Sequence, residues 1–417
     1  MRILHVVDGT YLPKMDGIVV SLVNTTLYLA NKGHKVAIAA PEYPGYKDKK
    51  QKNITVKRFS SFSFPPYPEI RISHPNIYTF KQLILDFEPN IIHTHTPGTL
   101  CLLALLFAKQ YNIPIITTYH TSFPDVMIYT SPAKLLKLDF LFNKIKIVQS
   151  TKFENIQKKL QKTLEKIRMP KLEKKSRELS RKRILSITNV FYNKHDLVIA
   201  PSERIKKDLV KHKLKSKVIV ISNGIEIKKF KKKNKYNKFP KFLQIGRVGF
   251  EKKIDIVIDA MSILIKKYPK AKLTIVGDGP AMETLKKQVS KLNLEKNVEF
   301  TGFVPRNKIA KIYRNHDVFI TASEMETQGL VLLEAMASGL PVIGVNVLAI
   351  PDVVHNKKTG FLVKRGDYKA IARKMCKFIE EPNLIKEYGR NARIETAKHN
   401  IEITLRSLEK TYLSYLK

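Results

Sequence analysis

Two glutamates separated by seven residues, Glu326 and Glu334, are the chemically most informative pair in the sequence. They lie in the segment 322–343, which follows a short apolar run at 318–321. If a helix begins near Gly329, Glu326 lies in the loop before it and Glu334 lies about a turn and a half inside it. Such a junction presents unpaired backbone N–H groups and the positive end of a helix dipole. We therefore expect this segment to bind a diphosphate or the hydroxyls of a sugar.

Two cations follow another apolar run, in the segment 242–255. The run ends at Gly246, and the loop after it carries Arg247 and Lys252. If the run is a strand, both cations leave its carboxyl end, which is the edge at which open α/β sheets bind ligands. Two fixed cations there can neutralise charge that develops on a departing nucleoside diphosphate. The spacing of five residues at a strand end favours a functional role even in a chain this basic.

Histidines follow two predicted strands in the first half of the chain. His120 comes after the run at 115–118, and His93 and His95 end the run before it. The residues alone leave open whether His120 is a structural loop histidine or part of a site. His93 and His95 are candidates for lining an acceptor site, whereas a metal role lacks a third ligand.

The elements that must position these residues alternate between short apolar strands and amphipathic helices, the pattern of parallel sheets covered by helices. The chain of 417 residues is long enough for two such domains. We interpret the Lys- and Asn-rich segment 228–241 as the linker between them. The predicted helices of the first half are 19–32, 77–87 and 100–109. The predicted strands are 3–7, 36–40, 54–59, 91–93, 115–118 and 197–200, then 242–245, 272–276, 298–301, 318–321, 342–345 and 360–363.

Charge is the unusual feature of the composition, since 76 Lys and Arg against 36 Asp and Glu give a net charge of +40. Such a field attracts nucleic acid and anionic membranes alike, and genome base composition is an equally good explanation of it. The basic segment 134–183 predicts one or two long helices, either solvated or lying on an anionic membrane. The longest apolar run, 100–108, is too short to span a bilayer, and the first residues form a strand pattern without a signal peptide. We expect a cytoplasmic protein.

The segment around Glu326 resembles the paired-glutamate motif of glycosyltransferase family 4. The resemblance implies an α/β protein with the GT-B fold, in which two Rossmann-like domains enclose a donor and acceptor cleft. It also implies that Glu326 contacts the donor sugar and that Glu334 binds the ribose hydroxyls. The amides of Gly329 and Leu330 would then approach the sugar and the phosphate.

The segment from Gly246 to Lys252 is similar to the family's Gly-Arg-x-x-x-x-Lys motif. The resemblance places Gly246, Arg247 and Lys252 at the leaving diphosphate of a nucleotide sugar. No Asp-x-Asp pair occurs in the sequence, and the two cations supply the charge that a metal ion would otherwise provide. We therefore expect neither a cofactor nor an essential metal.

Four further positions are candidates, and three of them take their roles from the same resemblance. The family commonly carries a histidine at the position of His120, where it touches the donor sugar near the reacting carbon. The turn after Thr301 is similar to the loop that lines the base pocket, which makes Phe303 and Val304 candidates for nucleobase contact. Gly17 follows the first strand and would let the backbone approach the phosphates or the acceptor.

The resemblance divides the chain into three parts. Residues 1–225 would form an acceptor-binding domain with the basic insertion at 134–183. Residues 226–395 would form the nucleotide-sugar-binding domain, and residues 396–417 would form a helix that returns to the first domain. The catalytic residues implied are His120, Glu326, Arg247 and Lys252.

Within the family, several stretches look more like bacterial 1,2-diacylglycerol glucosyltransferases than like sucrose or glycogen enzymes. The Pro-rich segment 62–72 reads as a loop that admits a lipid, with Phe64 and Tyr67 among its apolar contacts, and Asp16 and His95 are further acceptor candidates. The expected reaction moves glucose from UDP-glucose to diacylglycerol at the anionic inner face of the cell membrane. The alternatives are a soluble or polysaccharide acceptor and a non-catalytic protein that binds anionic surfaces. No motif for specific nucleic-acid binding is present.

Overall fold

The computed structural model describes residues 1–64, 67–120, 185, 188–233, 236–237 and 239–416, with the backbone alone at 67–69. These residues belong to two compact units. Unit 1 comprises Met1–Ala200, Lys206–Val220 and Glu409–Lys417, and unit 2 comprises Pro201–Ile205 and Ile221–Leu408. The basic segment 134–183, predicted to be helical, lies outside the described residues.

Unit 1 is built on a parallel sheet in which seven strands are described. Six of them agree with the predicted strands to within one residue at each end. The seventh, β9, was not predicted, because its four residues are only half-buried at the edge of the sheet and carry a weak apolar signal. In spatial order the strands are β3 (Ile54–Phe59), β2 (Lys35–Pro41), β1 (Arg2–Val6), β6 (Ile91–Thr94), β7 (Ile115–Thr118), β8 (Leu197–Ala200) and β9 (Lys217–Val220).

The helices of unit 1 confirm the three predicted in the first half of the chain: α1 (Gly17–Asn31), α2 (Ile77–Phe87) and α3 (Thr99–Gln110). Helix α4 (Glu203–Lys211) follows β8. The apolar faces of α2 and α3 cover the sheet, and their rings at Phe80 and Phe107 stack with centroids 5.8 Å apart. This packing fixes the loops that follow β1, β6 and β7 at one edge of the sheet.

The segment 62–72 forms a hairpin, so the prediction of a loop is wrong, whereas its contact with a lipid stays a prediction. Strand β4 (Ser61–Phe64) pairs antiparallel with β5 (Tyr67–Ser73), apart from the seven-stranded sheet. Ser and Phe alternate along β4 with the period of a strand. We missed this alternation because the prolines nearby dominate the local signal.

Unit 2 contains a six-stranded parallel sheet, and all six predicted strands agree with it to within one residue at each end. In spatial order they are β12 (Val298–Gly302), β11 (Lys272–Val276), β10 (Lys241–Ile245), β13 (Val318–Thr321), β14 (Val342–Val345) and β15 (Gly360–Val363). The helices that follow in the chain are α5 (Ile254–Lys267), α6 (Met282–Lys291), α7 (Arg306–Asn315), α8 (Leu330–Ala337), α9 (Ile350–Val353), α10 (Tyr368–Glu380), α11 (Asn383–Thr396) and α12 (Ile401–Leu413).

The segment predicted as a linker contributes to the core of unit 2. Phe230 is buried, and Lys233 forms an ion pair with buried Asp317, with Nζ 2.7 Å from Oδ1. Asp317 immediately precedes β13, so this pair lies at the amino edge of the sheet. A buried lysine is not visible in a lysine-rich composition, because its pairing depends on a carboxylate far away in the sequence.

Glycines let two loops at the carboxyl edge of unit 2 pack backbone against backbone. Gly277 has a φ of +131°, and a Cβ at this position would overlap the carbonyl oxygen of Gly246. Gly246 lies in the loop after β10, and its N–H donates to the oxygen of Val276 at 3.0 Å. The approach of these loops sets the height of the residues that follow Gly246.

We predict that Gly277→Ala lowers the free energy of unfolding by at least about 2 kcal/mol, because the added carbon meets backbone that cannot rotate away. The control is Gly366→Ala, where φ is +74° and no atom lies within 4 Å of the added carbon. That variant bears only the left-handed backbone cost of about 1 kcal/mol. Chemical denaturation measures both, and equal losses would contradict the close approach.

Candidate active site

Lys252 and Glu326 form a mostly buried ion pair at the carboxyl edge of the unit 2 sheet. Lys252 ends a short 3-10 turn, Phe250–Lys252, after β10, and Glu326 lies in the loop between β13 and α8. The lysine Nζ donates to Oε1 of Glu326 at 2.6 Å. Because β10 and β13 are neighbours in the sheet, two predicted site residues 74 positions apart meet directly.

The pair is held in its charged form. Burial works to lower the pKa of Lys252, but the charge and hydrogen bond of Glu326 outweigh it and raise that pKa. Burial likewise works to raise the pKa of Glu326, but Lys252 outweighs it and the pKa is lowered. Both side chains are therefore ionised at neutral pH. Together they offer a cation for a phosphate and an acceptor for a hydroxyl at one point.

Arg247 extends this cationic edge. Its side chain is about one-third exposed at 32%, and its Nε lies 4.0 Å from Oε1 of Glu251. Glu251 is buried, and its carboxylate fills the space that a side chain at position 249 would need, which explains Gly249. Sequence reasoning missed Glu251, although an acid four residues after the arginine was a usable signal.

Glu334 is fully buried inside α8. Arg306 at the start of α7 donates to its Oε1, and Tyr313 donates to its Oε2 at 3.1 Å. Burial raises the pKa of Glu334, against the opposing charge of Arg306 and the hydrogen bond of Tyr313. The predicted ribose-binding carboxylate is thus held by two side chains that the sequence did not single out. Their spacing of seven residues along one helix face was the available signal.

The start of α8 is shaped by Gly329, which has a φ of +75° at the N-cap. A side chain there would collide with Leu332 of the first turn. Before it, buried Gln328 donates to the hydroxyl of Ser222 and accepts from the N–H of Asn223 at 2.7 Å. The backbone amides of Gly329 and Leu330, which are predicted to bind the donor, therefore follow a residue that is held by two hydrogen bonds.

A further ion pair lies in the same loop. Arg365, just after β15, donates to Glu324, which is buried except for 8% of its side chain. The backbone N–H of Glu324 also donates to the oxygen of Glu251 at 3.3 Å. The loop that carries Glu326 is thereby tied both to the loop after β10 and to the strand at the edge of the sheet.

The predicted base-binding residues differ from each other in exposure. Phe303 is 71% exposed, whereas Val304 packs against the core of unit 2. A surface depression of about 560 Å³ is lined by residues of the loop after β11 and the end of β12, among them Gly279, Thr301 and Gly302. Phe303 is the next residue in the chain after Gly302, which lines this depression.

In unit 1, the structure brings His95 and His120 together with a third histidine, His5 of β1. His95 Nδ1 lies 3.0 Å from His120 Nε2, and His95 Nε2 lies 2.9 Å from His5 Nδ1. His93 contacts Tyr412 and Thr118 instead, at 2.6 and 2.8 Å. All four histidines are buried, and the assignment of His95 to the acceptor site stays a prediction.

In the sequence, a metal site at His93 and His95 lacked a third ligand. His5 supplies a third imidazole beside them. Nitrogen atoms of these three histidines lie within 4.8 Å of one another. Sequence reasoning missed His5 because it stands inside an apolar strand. Its register opposite His93 on the neighbouring strand emerges only from the sheet.

The remaining acceptor candidates lie near the start of α1 and in the hairpin. Asp16 is the N-cap of α1, where it accepts from the N–H of Val19 at 2.9 Å and from the hydroxyl of Thr10 at 2.6 Å. Gly17 is the first residue of that helix. Phe64 ends β4, while the side chain of Tyr67 lies outside the described residues.

Family comparison bears on both halves of the chain. Residues 15–229 match the model of Glycosyltransferase Family 4, and residues 226–395 match that of Glycosyl transferases group 1. The chain belongs to glycosyltransferase family 4. It is therefore a retaining hexosyltransferase with the GT-B fold, as its two parallel α/β sheets indicate.

The relatives of this glycosyltransferase include lipid-modifying enzymes. The alpha-monoglucosyldiacylglycerol synthase of Acholeplasma laidlawii is 26% identical over 436 residues, covering 100% of this chain and 98% of the relative. The enzyme of the same name from Streptococcus pneumoniae is 28% identical over 370 residues, covering 85% of this chain and 73% of the relative. The crystal structure of Anabaena HepE in complex with UDP-glucose matches 99% of both chains with a TM-score of 0.68 and 17% identity, which shows the shared fold.

None of the described helices of this glycosyltransferase combines the length and the apolar character that a bilayer-crossing segment needs.

We predict that the buried histidines make unit 1 less stable in mild acid. Burial lowers the pKa of His5 to about 3 and that of His195 to about 4, against about 6.5 in an unfolded chain. Below pH 6.5 the unfolded state therefore takes up protons that the folded state refuses. Each such histidine removes about 1.4 kcal/mol of stability between pH 7.5 and 5.5.

Urea denaturation of wild type and His195→Gln at these two pH values measures the effect. The variant lacks one of the titrating groups, so its loss of stability on acidification is smaller by about 1.4 kcal/mol. An identical loss in both proteins would show that His195 is not buried in its neutral form.

Proposed function

We propose that this glycosyltransferase binds a UDP-sugar at the carboxyl edge of the unit 2 sheet and transfers the hexose, glucose, to the membrane lipid 1,2-diacylglycerol. The observation that supports the donor half is the mostly buried ion pair of Lys252 and Glu326 beside Arg247. It places charged groups for a diphosphate and an acceptor for a sugar hydroxyl at the edge where open α/β sheets bind ligands.

Each part of the donor would contact its own set of groups at this edge. The diphosphate is drawn to Arg247 and Lys252 and to the amides at the start of α8, because all of them stabilise negative charge. Glu326 then accepts hydrogen bonds from the sugar. Glu334 accepts hydrogen bonds from the ribose hydroxyls. In the structure, its partner is Arg306. The nucleobase is assigned to the loop of Phe303 and Val304.

Transfer is proposed to occur on the face of the sugar from which the diphosphate leaves, which retains configuration at the anomeric carbon. The bond from that carbon to the phosphate oxygen breaks, the acceptor hydroxyl forms the new bond, and its proton passes to the departing phosphate. Arg247 and Lys252 stabilise the leaving group. His120 and Glu326 hold the sugar in a reactive geometry. We expect no essential metal, because the cations supply the compensating charge.

The lipid acceptor is supported by the relatives and by charge. Both alpha-monoglucosyldiacylglycerol synthases match most of this chain. A net charge of +40 favours the anionic inner face of the cell membrane, where each basic residue near the surface contributes about 1 kcal/mol. We therefore propose a cytoplasmic protein that binds this face peripherally and has no specific nucleic-acid partner.

We predict that the double variant Lys252→Met/Glu326→Gln folds normally but transfers glucose at least about 100-fold more slowly, because it lacks the charges that meet the donor. Removing both charges avoids the unpaired buried ion that Lys252→Met alone would leave, which costs about 3–5 kcal/mol. The measurement is transfer of radiolabel from UDP-glucose to diacylglycerol in vesicles.

The matched control is Lys233→Met/Asp317→Asn. It removes another buried lysine–carboxylate pair of unit 2, at the amino edge of the same sheet. We expect its transfer rate to stay within about threefold of wild type. Equal activity in the two double variants would refute the assignment of the donor site.

The same assay decides the acceptor. Organic-phase label that rises when anionic lipid is added to the vesicles supports both diacylglycerol and the membrane surface. Donor consumption without lipid-linked label, together with transfer to added soluble saccharides, would instead assign a water-soluble acceptor. Neither donor binding nor donor consumption would leave the non-catalytic alternative.

A further inference from the structure

Arg306 covers the carboxylate that the proposed function assigns to the ribose. Its Nη2 donates to Oε1 of Glu334, and the phenol oxygen of Tyr313 lies 3.1 Å from Oε2 of the same carboxylate. Glu334 is fully buried, whereas 45% of the side chain of Arg306 is exposed. A ribose hydroxyl can therefore reach Glu334 only after a group that covers the carboxylate has moved.

The phenol of Tyr313 is fixed in place. Tyr313 is fully buried in the core of unit 2, where its ring packs beside Phe230 and Phe319 with centroids 5.8 and 6.2 Å away. Its oxygen also lies 3.1 Å from the carbonyl oxygen of Val331. Turning this ring out of its place would open a void in a close-packed interior, which is destabilising. Tyr313 therefore holds Glu334 from the inside and stays where it is.

Arg306, in contrast, can leave the carboxylate without disturbing the core. It is the first residue of α7, and almost half of its side chain already faces solvent. A cation at the amino end of a helix is repelled by the helix dipole, so this position favours its release. Rotation about the side-chain bonds of Arg306 replaces the ion pair by contacts with water and moves no backbone. Of the two described side chains that contact this carboxylate, Arg306 is thus the one that can open it.

We propose that Arg306 is a gate of the nucleotide site, which closes over Glu334 before the nucleotide binds and is displaced by the ribose hydroxyls. This proposal rests on the proposed binding of ribose by Glu334. The hydroxyls donate to the carboxylate in place of the guanidinium, so the buried oxygens keep their hydrogen bonds. Arg306 competes with the nucleotide for the same atoms. The measured affinity is therefore lower than that of a permanently open site, by the fraction of time for which Arg306 is released.

Arg306→Ala removes the competitor and also lets water reach Glu334, so that the carboxylate is not left dry. We expect the Kd of UDP, measured by isothermal titration calorimetry, to fall by about threefold to tenfold, the range of a charged hydrogen bond that is partly exposed. The matched control is Arg314→Ala, which removes an exposed cation from the last turn of the same helix. Its Kd for UDP should stay within about twofold of wild type.

A second background, Glu334→Gln, separates the gate from two other roles of Arg306. If Arg306 is a gate, its replacement by Ala strengthens UDP binding only where the carboxylate of Glu334 is present. An arginine that contacts the nucleotide directly would weaken binding when it is removed, in both backgrounds. An arginine that only holds Glu334 in position would weaken binding where Glu334 is present. Weaker binding of UDP by Arg306→Ala would therefore overturn the proposal.

Chemical modification tests the gate in the wild-type protein, where no substitution can disturb the fold. The protein is treated with phenylglyoxal, which reacts with free guanidinium groups, and modified peptides are quantified by mass spectrometry with and without saturating UDP. We expect UDP to accelerate modification of Arg306 by about threefold to tenfold, the same factor as the change in Kd, because both report the fraction of released arginine. Arg204, which is 49% exposed and paired with Asp352, is the reference and should react at an unchanged rate.

The outcomes distinguish the gate from the donor site. Slower or unchanged modification of Arg306 in the presence of bound UDP would overturn the gate and leave donor binding by unit 2 in place. Faster modification of Arg306 and Arg204 alike would also overturn it, since that would report a general loosening of the protein. Failure of the wild-type protein to bind UDP in the calorimeter would refute the proposed donor site and the gate together.

Discussion

The ion pair between Lys252 and Glu326 is the interaction that joins the two loops of the proposed donor site in unit 2. It connects the loop after β10 to the loop after β13, and both side chains are mostly buried. Separating such a pair leaves an uncompensated charge that costs about 3–5 kcal/mol. The loops are therefore fixed relative to each other before any ligand arrives, which lowers the entropic cost of binding one.

Several acidic side chains at this edge have a cationic partner, in a chain with a net charge of +40. Besides Glu326, these are Glu334 with Arg306, Glu324 with Arg365 and Glu251 with Arg247. A nucleotide sugar brings two phosphates, which attract the cations, and several hydroxyls, which donate to the carboxylates. Donor binding would thus exchange protein partners for ligand partners of the same kind, and no charge would be left buried alone.

The sequence predicted most strands of both sheets, because strands that are buried on both faces of a parallel sheet appear as short continuous apolar runs. It also singled out Lys252 and Glu326, since loops at strand ends bring distant residues to one edge. It did not predict Arg306 as the partner of Glu334, because side-chain pairing across helices depends on packing. His5 was invisible for a similar reason, since only the pairing of β1 with β6 sets it beside His93.

Hydrogen exchange measured by mass spectrometry, with and without UDP-glucose, tests most directly whether this edge holds the donor. We expect slower exchange in peptides that cover residues 246–252 and 322–334, since the donor would contact their amides and the loops between the paired charges. Protection confined to unit 1, or no protection of these two segments at saturating UDP-glucose, would contradict the account.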